Sequence, residues 1–207
     1  MPNVSNVKTK FFGAVDALDA DGLSTAASIG SATTLTLGGT LTSGGSYTSG
    51  DNIGQLVTIL SAADDSGITF TIVGTDAVGD AQTEVVTGAS GAPGTATSSG
   101  YFNTVASITT SGASAGNVSA GVTGTGTGTV FAGRTRIRGL QGLSGTSAGN
   151  LLFKNTSVTG TTLLTVPTQA AAELIEPYIP DNAVLFDAGA YVNFGSAVAT
   201  VTVFYDG

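Results

Sequence analysis

The chain has 207 residues, of which 41% are hydrophobic and only 10% charged, and it carries a formal charge of −8 with a pI near 4.1. With no Cys and no His it forms no disulfide, and it lacks the thiol and imidazole groups most used for nucleophiles, proton transfer and soft-metal ligation. Its acidity also speaks against nucleic acid or an anionic membrane as partner, since both are bound by neutralising phosphate.

What remains is 31 Gly among many Thr, Ser, Ala and Val, a composition of turns and pleated strands. Charged residues average about 25% in globular proteins. A surface here must therefore be made of Thr, Ser, Gly and Ala, which lose little side-chain entropy when covered. No apolar run is long enough for a transmembrane helix. The opening MPNVSNVKTKFFGAVDALDADG has no continuous apolar stretch and acids soon follow, so no signal peptide is expected.

Residues 1–22 read as an extended N-terminal arm, with Phe11 and Phe12 its first bulky pair. From Thr33 the pattern turns to strands: TTLTL (33–37), QLVTIL (55–60), ITFTIVG (68–74) and TEVVT (83–87), the last two a hairpin across the turn TDAVGDAQ (75–82). In the third of these, Ile68, Phe70 and Ile72 share one face. GASGAPGTATSSG (88–100) reads as a loop of small residues, and YFNTVASITT (101–110) and NVSAGV (117–122) complete a first β-sandwich unit over 23–122. TGTGTGT (123–129) reads as a Gly/Thr linker.

A second sandwich unit is expected over 130–207, from TRIRGL (135–140), NLLFKN (150–155), TTLLTV (161–166), VLF (184–186), AYVNFG (190–195) and VATVTVFY (198–205). In the last strand Val198, Thr200, Thr202 and Phe204 share one face, and Ala199, Val201, Val203 and Tyr205 the other. TQAAAELIEPYIP (168–180) is the one segment with a helical look, but its prolines favour a loop with a short turn. The expected fold is all-β: two small antiparallel β-sandwich units, immunoglobulin-like or jelly-roll-like, behind the arm.

No motif for catalysis stands out. There is no GxSxG elbow and no phosphate-binding loop. Asp64-Asp65, Asp76 and Asp80 read as solvated turn acids. Asp16, Asp19 and Asp21 miss the spacing of a calcium loop. An enzyme is not expected, nor a cofactor or a bound metal.

Two clusters are candidates for an interface. Arg134, Arg136 and Arg138 in GRTRIRG are half of the basic residues, and alternation places them on one face of a strand. Two readings stay open: pairing with carboxylates across the sheet, with Glu173 or Glu176 as candidates, or a basic stripe that docks on an acidic partner or a second copy of this chain. Lys8, Lys10, Phe11 and Phe12 form the second cluster, read either as an anchor or as a cap on the core of the first unit.

The segments FTIVGTDAVGDAQTEVVTG and TVASITTSG, with ALDADGLSTAAS before them, resemble a module of virion structural proteins of tailed bacteriophages, especially phages of aquatic bacteria. The ending IPDNAVLFDAGAYVNFGSAVATVTVFYDG is similar to a second β module of such proteins. The resemblance implies a catalytically inert virion protein, assembled in the host cytoplasm, whose partners are the major capsid protein and copies of itself. The resemblance points to the virion and not to one position in it. A short, all-β chain with a largely uncharged surface, an arm and two compact units is expected to be a capsid decoration or cement protein, with a tail, fibre or receptor-binding component as the alternative. A non-viral surface adhesin or carbohydrate-binding module is the second alternative.

Overall fold

The computed structural model describes residues 6–207. Among them there is no helix, and eighteen strands form antiparallel sheets, none closed into a barrel. In chain order these are β1 (Val7–Phe12), β2 (Asp19–Ser28), β3 (Thr33–Thr34), β4 (Thr42–Ser43), β5 (Ser46–Thr48) and β6 (Gly54–Ser61). Then come β7 (Thr69–Thr75), β8 (Ala81–Thr87), β9 (Gly94–Phe102), β10 (Thr104–Thr110), β11 (Asn117–Phe131) and β12 (Thr135–Ser144). The last are β13 (Gly149–Asn155), β14 (Thr162–Thr168), β15 (Leu174–Ile175), β16 (Val184–Phe186), β17 (Ala190–Gly195) and β18 (Val198–Asp206).

The chain folds as two compact units, but not where composition divides it. One, the terminal unit, takes residues up to 15, then 51–53 and 127–207; the other, the inserted unit, takes 16–50 and 54–126. The expected arm over 1–22 is thus split. Its residues 1–5 lie outside the described range, β1 pairs along β18 in the terminal unit, and β2 begins the inserted unit. Hydrogen bonding decides this: β1 matches β18 residue for residue from Val7↔Asp206 to Phe12↔Val201.

The expected linker 123–129 is also corrected, since it lies inside the strand β11. Its repeat has the two-residue period of a strand, and Gly126, Thr127 and Gly128 are buried. Thr127 Oγ1 donates to the Val192 carbonyl at 2.9 Å. A Cβ at Gly128 would stand 2.4 Å from the Phe12 ring, so glycine here answers close packing and not flexibility. Residues 117–126 of β11 belong to the inserted unit and 127–131 to the terminal unit.

In the inserted unit one sheet runs β4-β5-β10-β7-β8, with β3 on β10, and the other is made by β2, β11, β6 and β9. Its core holds Tyr47, Ile59, Phe70, Ile72, Phe102 and Ile108, all at most 1% exposed. In the terminal unit one sheet runs β1-β18-β12-β15, with β16 on β12, and β14, β13 and β17 join the end of β11 in the other. Its core is richer in phenylalanine, with Phe12, Phe153, Phe186 and Phe194. The two cores have no residue in common.

The segment 168–180 forms no helix; Leu174–Ile175 instead adds a short strand to β12. Both Ala171 and Ala172 have positive φ, 84° and 54°, which ends any helical run there.

Candidate protein interface

The predicted interface residues all fall in the terminal unit, on or beside the sheet β1-β18-β12. Alternation sorts them. Phe12, Lys10 and Lys8 pair with Val201, Val203 and Tyr205, whose side chains are buried. Phe11, Thr9 and Val7 pair with Thr202, Phe204 and Asp206, whose side chains are half-buried and point the other way. Phe12 is therefore core, in the terminal unit and not the first sandwich expected from the sequence, while Phe11 is 42% exposed. Lys8 reaches over the Phe131 ring, with 5.8 Å from Nζ to the ring centroid, and Phe131 in turn packs on Tyr205. The four residues of the arm do not form one anchor.

On β12, Thr135 and Ile137 point inward and are 3% and 0% exposed, as alternation predicts. Arg136 and Arg138 point outward. The register against β18 shifts between Ile137 and Gly139, so Arg138 is the extra residue of a bulge. Arg134 lies just before the strand.

The acid that answers Arg138 is Asp206, on the neighbouring strand β18, and neither Glu173 nor Glu176 pairs with any of the three arginines among the described residues. Arg138 donates from Nε and Nη2 to Asp206 Oδ2 at 2.6 and 2.5 Å, and from Nη1 to the Asp181 carbonyl at 3.1 Å. That bond with Asp206 raises the Arg138 pKa above its ordinary value. Arg136 Nη1 donates to the Asn182 carbonyl at 2.6 Å. Arg134 reaches Asp187 only at 3.9 Å, with both side chains largely exposed. Glu173 sits at the far end of β12, where its carbonyl accepts from Ser144 N. The β18 strand wins because its pairing runs the full length of β12, whereas β15 meets only Gly142 and Leu143. A shallow groove of about 230 Å³ lies against Arg134, Thr135, Arg136, Leu185, Asp206 and Gly207.

The outward face of this sheet carries more than the sequence reading singled out. Val7, Phe11 and Leu143 are each 42% exposed. Between them stand Thr9, Thr200, Thr202, Gln141 and the half-buried Phe204. The signal for this was present in the last strand, whose Thr200, Thr202 and Phe204 alternate against the buried Val201, Val203 and Tyr205.

The inserted unit has a different chemistry. A groove of about 470 Å³ along Ser24, Ala27, Ile29, Leu35, Thr36 and Val118 has no ionisable side chain in its lining. Inside the unit the Gln55 amide is fully buried. Its Oε1 accepts from Asp16 N, Tyr47 Oη and Ser49 Oγ at 2.9 to 3.1 Å, and its Nε2 donates to the carbonyls of Asp16 and Thr123. Tyr47 Oη also lies 2.8 Å from Asp16 Oδ2, so its one O–H proton is shared between that carboxylate and Gln55 Oε1. Burial pushes the Tyr47 phenol well above its ordinary 10.0, and Asp16 adds to this while Ser49 opposes it.

The acids of this unit have mostly local partners. Asp64 accepts from Ser66 N and Oγ, and these bonds hold its carboxyl below the usual range. Asp65 is not the solvated turn acid expected: it is 3% exposed, and its Oδ1 accepts from Ala115 N at 2.7 Å. Asp19 turns to Thr40 and to Asp21 while Asp16 turns to Tyr47, so the acids of that stretch do not share one site. Among the described residues no group of three or more acid side chains converges as a metal site would need.

The chain matches no family model, no curated protein and no solved structure.

Proposed function

We propose that this chain is a non-catalytic structural protein of a tailed-phage virion, a decoration or cement protein that bridges subunits of the capsid shell. One observation carries the reading: the outward face of β1-β18-β12, where Val7, Phe11 and Leu143 stand exposed among threonines. An exposed aromatic is a common anchor of binding energy in an interface. The short side chains around it lose little entropy when covered. The partner class comes from the resemblance of FTIVGTDAVGDAQTEVVTG and TVASITTSG to virion modules. Bound across two shell subunits, such a protein would oppose opening of the shell, since opening would also have to break its contacts. Many copies would add up although each held weakly.

The uncharged, hydroxyl-lined groove of the inserted unit favours a second reading, a tail or fibre component that holds a neutral saccharide. Copy number in purified particles separates the two. A count comparable with that of the shell subunits supports decoration, and a count set by a single tail supports the second reading. Absence from particles overturns both. For the decoration reading, Phe11→Asp is expected to strip the protein from shells while leaving its fold intact, and full occupancy by that variant would refute the role given to this face.

A further inference from the structure

The charge of this molecule is divided by unit. All six Lys and Arg lie in the terminal unit, together with six acids, so that unit is formally neutral. The inserted unit has eight acids, from Asp16 to Glu84, and no Lys or Arg, so it carries the whole −8. Two copies that approach by their inserted units repel. Local charge attraction between copies is on offer where the arginines of one terminal unit meet the acids of the next copy's inserted unit.

Both surfaces carry groups that suit such a meeting. On the terminal unit, Arg136 spends one donor on the Asn182 carbonyl and has no carboxylate partner among the described residues. Among the described residues Arg134 has only its long contact to Asp187. A guanidinium offers five N–H donors, so most of theirs remain for a ligand. Between the two lies the groove with Leu185 in its wall. Asp206 also lines it, but Arg138 already neutralises that carboxylate at 2.5 Å.

On the inserted unit, the β7–β8 hairpin ends in a tip that its own hydrogen bonds hold. Asp76 Oδ1 accepts from Val78 N at 2.9 Å and from Asp80 N at 3.0 Å, and Gly79 N donates to the Asp76 carbonyl with Gly79 at φ +94°. The tip presents Val78, 56% exposed, beside the exposed Asp80. An apolar side chain flanked by carboxylates meets a groove with an apolar wall flanked by guanidinium groups.

We propose that the chain associates with itself head to tail, the Arg134–Arg136 groove of one copy receiving the Asp76–Asp80 hairpin tip of the next. The two surfaces differ, so the contact is heterologous and propagates into a ring or a filament. The inference does not depend on the shell as target, since it concerns contacts between copies and uses neither Phe11 nor Leu143.

The test is sedimentation of the purified full chain over a range of concentrations, at about 20 mM and about 500 mM salt, which shortens the screening length from roughly 20 Å to a few Å. Association is expected at low salt and dispersal at high salt. Arg136→Asp alone and Asp80→Arg alone should each weaken association about tenfold or more. The second is the sharper case, because it lowers net charge and general repulsion yet is expected to reduce association. An equimolar mixture of the two variants should restore it, since each then offers the other a complementary surface. A wild type that stays monomeric at low salt overturns the proposal. So does association that survives either reversal or high salt, which would point to the apolar sheet face instead. So does a mixture no better than its components. Thermal melts of each variant establish that it is folded, and Arg136→Gln with Asp80→Asn, expected to show the same direction at smaller size, replace any that is not.

Discussion

The two units solve the same problem, a two-layer β core, with different means. The terminal unit balances six cations against six acids and fills its interior with phenylalanine. The inserted unit has no cation, so its carboxylates are held by hydroxyls and backbone N–H groups: Asp19 by Thr40, Asp64 by Ser66, Glu84 by Ser99 and Gly100. Its interior admits a polar knot around Gln55. Serine and threonine thus do in one unit what arginine does in the other. The difference teaches that a low count of charged residues leaves electrostatics in place and moves it into short, local hydrogen bonds.

This contrast is open to experiment. The largest effect is expected from Gln55→Ala, which leaves several buried donors and acceptors of the inserted unit without partners. At 1–3 kcal/mol for each such group, partly relieved by relaxation, the loss is about 5 kcal/mol in urea unfolding. A loss below about 1 kcal/mol would remove the knot from the account of that unit. In the terminal unit Phe153→Ala should cost about 4 kcal/mol, the ordinary result of emptying an aromatic site in a dry core. Gly128→Val should cost about 3 kcal/mol, because its side chain would meet the Phe12 ring and the Asn52 carbonyl. A flexible linker would accept the same change without effect.

A smaller effect depends on pH. A phenol held above its ordinary value of 10.0 binds its proton more tightly in the folded than in the unfolded chain. Its contribution to stability is therefore complete below pH 10 and is lost as pH rises above it. The melting temperature should fall between pH 9 and pH 11, and Tyr47→Phe should flatten that part of the fall that Tyr47 causes. An unchanged slope in the variant would assign the fall to other groups. The smallest effect is expected from Asp206→Asn. It removes the partner of Arg138 at the surface, and the urea midpoint should not move measurably.

The strands with strong alternation were legible in the sequence, from ITFTIVG to VATVTVFY, and so was the inward turn of Thr135 and Ile137. Elements whose burial comes from distant neighbours were not. GTATSSG (94–100) reads as part of a small-residue loop, yet with Tyr101 and Phe102 it pairs along β6 as β9, where Ser98 Oγ accepts the Val57 N–H beside a register shift. The strand DADGLSTAAS is cut by the expected end of the arm at residue 22, because nothing within it shows that Asn117–Val122 will pair with it. The division into units was hidden for the same reason. It rests on β1 meeting β18 and on three residues, Asp51–Ile53, of which Ile53 is fully buried in the terminal core. Of the candidate interface, Arg134, Arg136, Arg138 and Phe11 were found by residue type and spacing. Their neighbours Val7 and Leu143 were not, since each is an unremarkable apolar residue until the register places it on an outward face.

The absence of cations from the inserted unit has a practical consequence. Between Lys10 and Arg134 there is no Lys or Arg, so trypsin releases everything from Phe11 to Arg134 as a single peptide, even from the fully unfolded chain. Amine-reactive cross-linkers and dyes find nothing there either, because the lysines are Lys8, Lys10 and Lys154. Folded or not, more than half of this protein is invisible to the two commonest reagents of protein chemistry. A protease that cuts beside acids reads it instead, and a cross-linker for carboxylates would mark the inserted unit at Asp80.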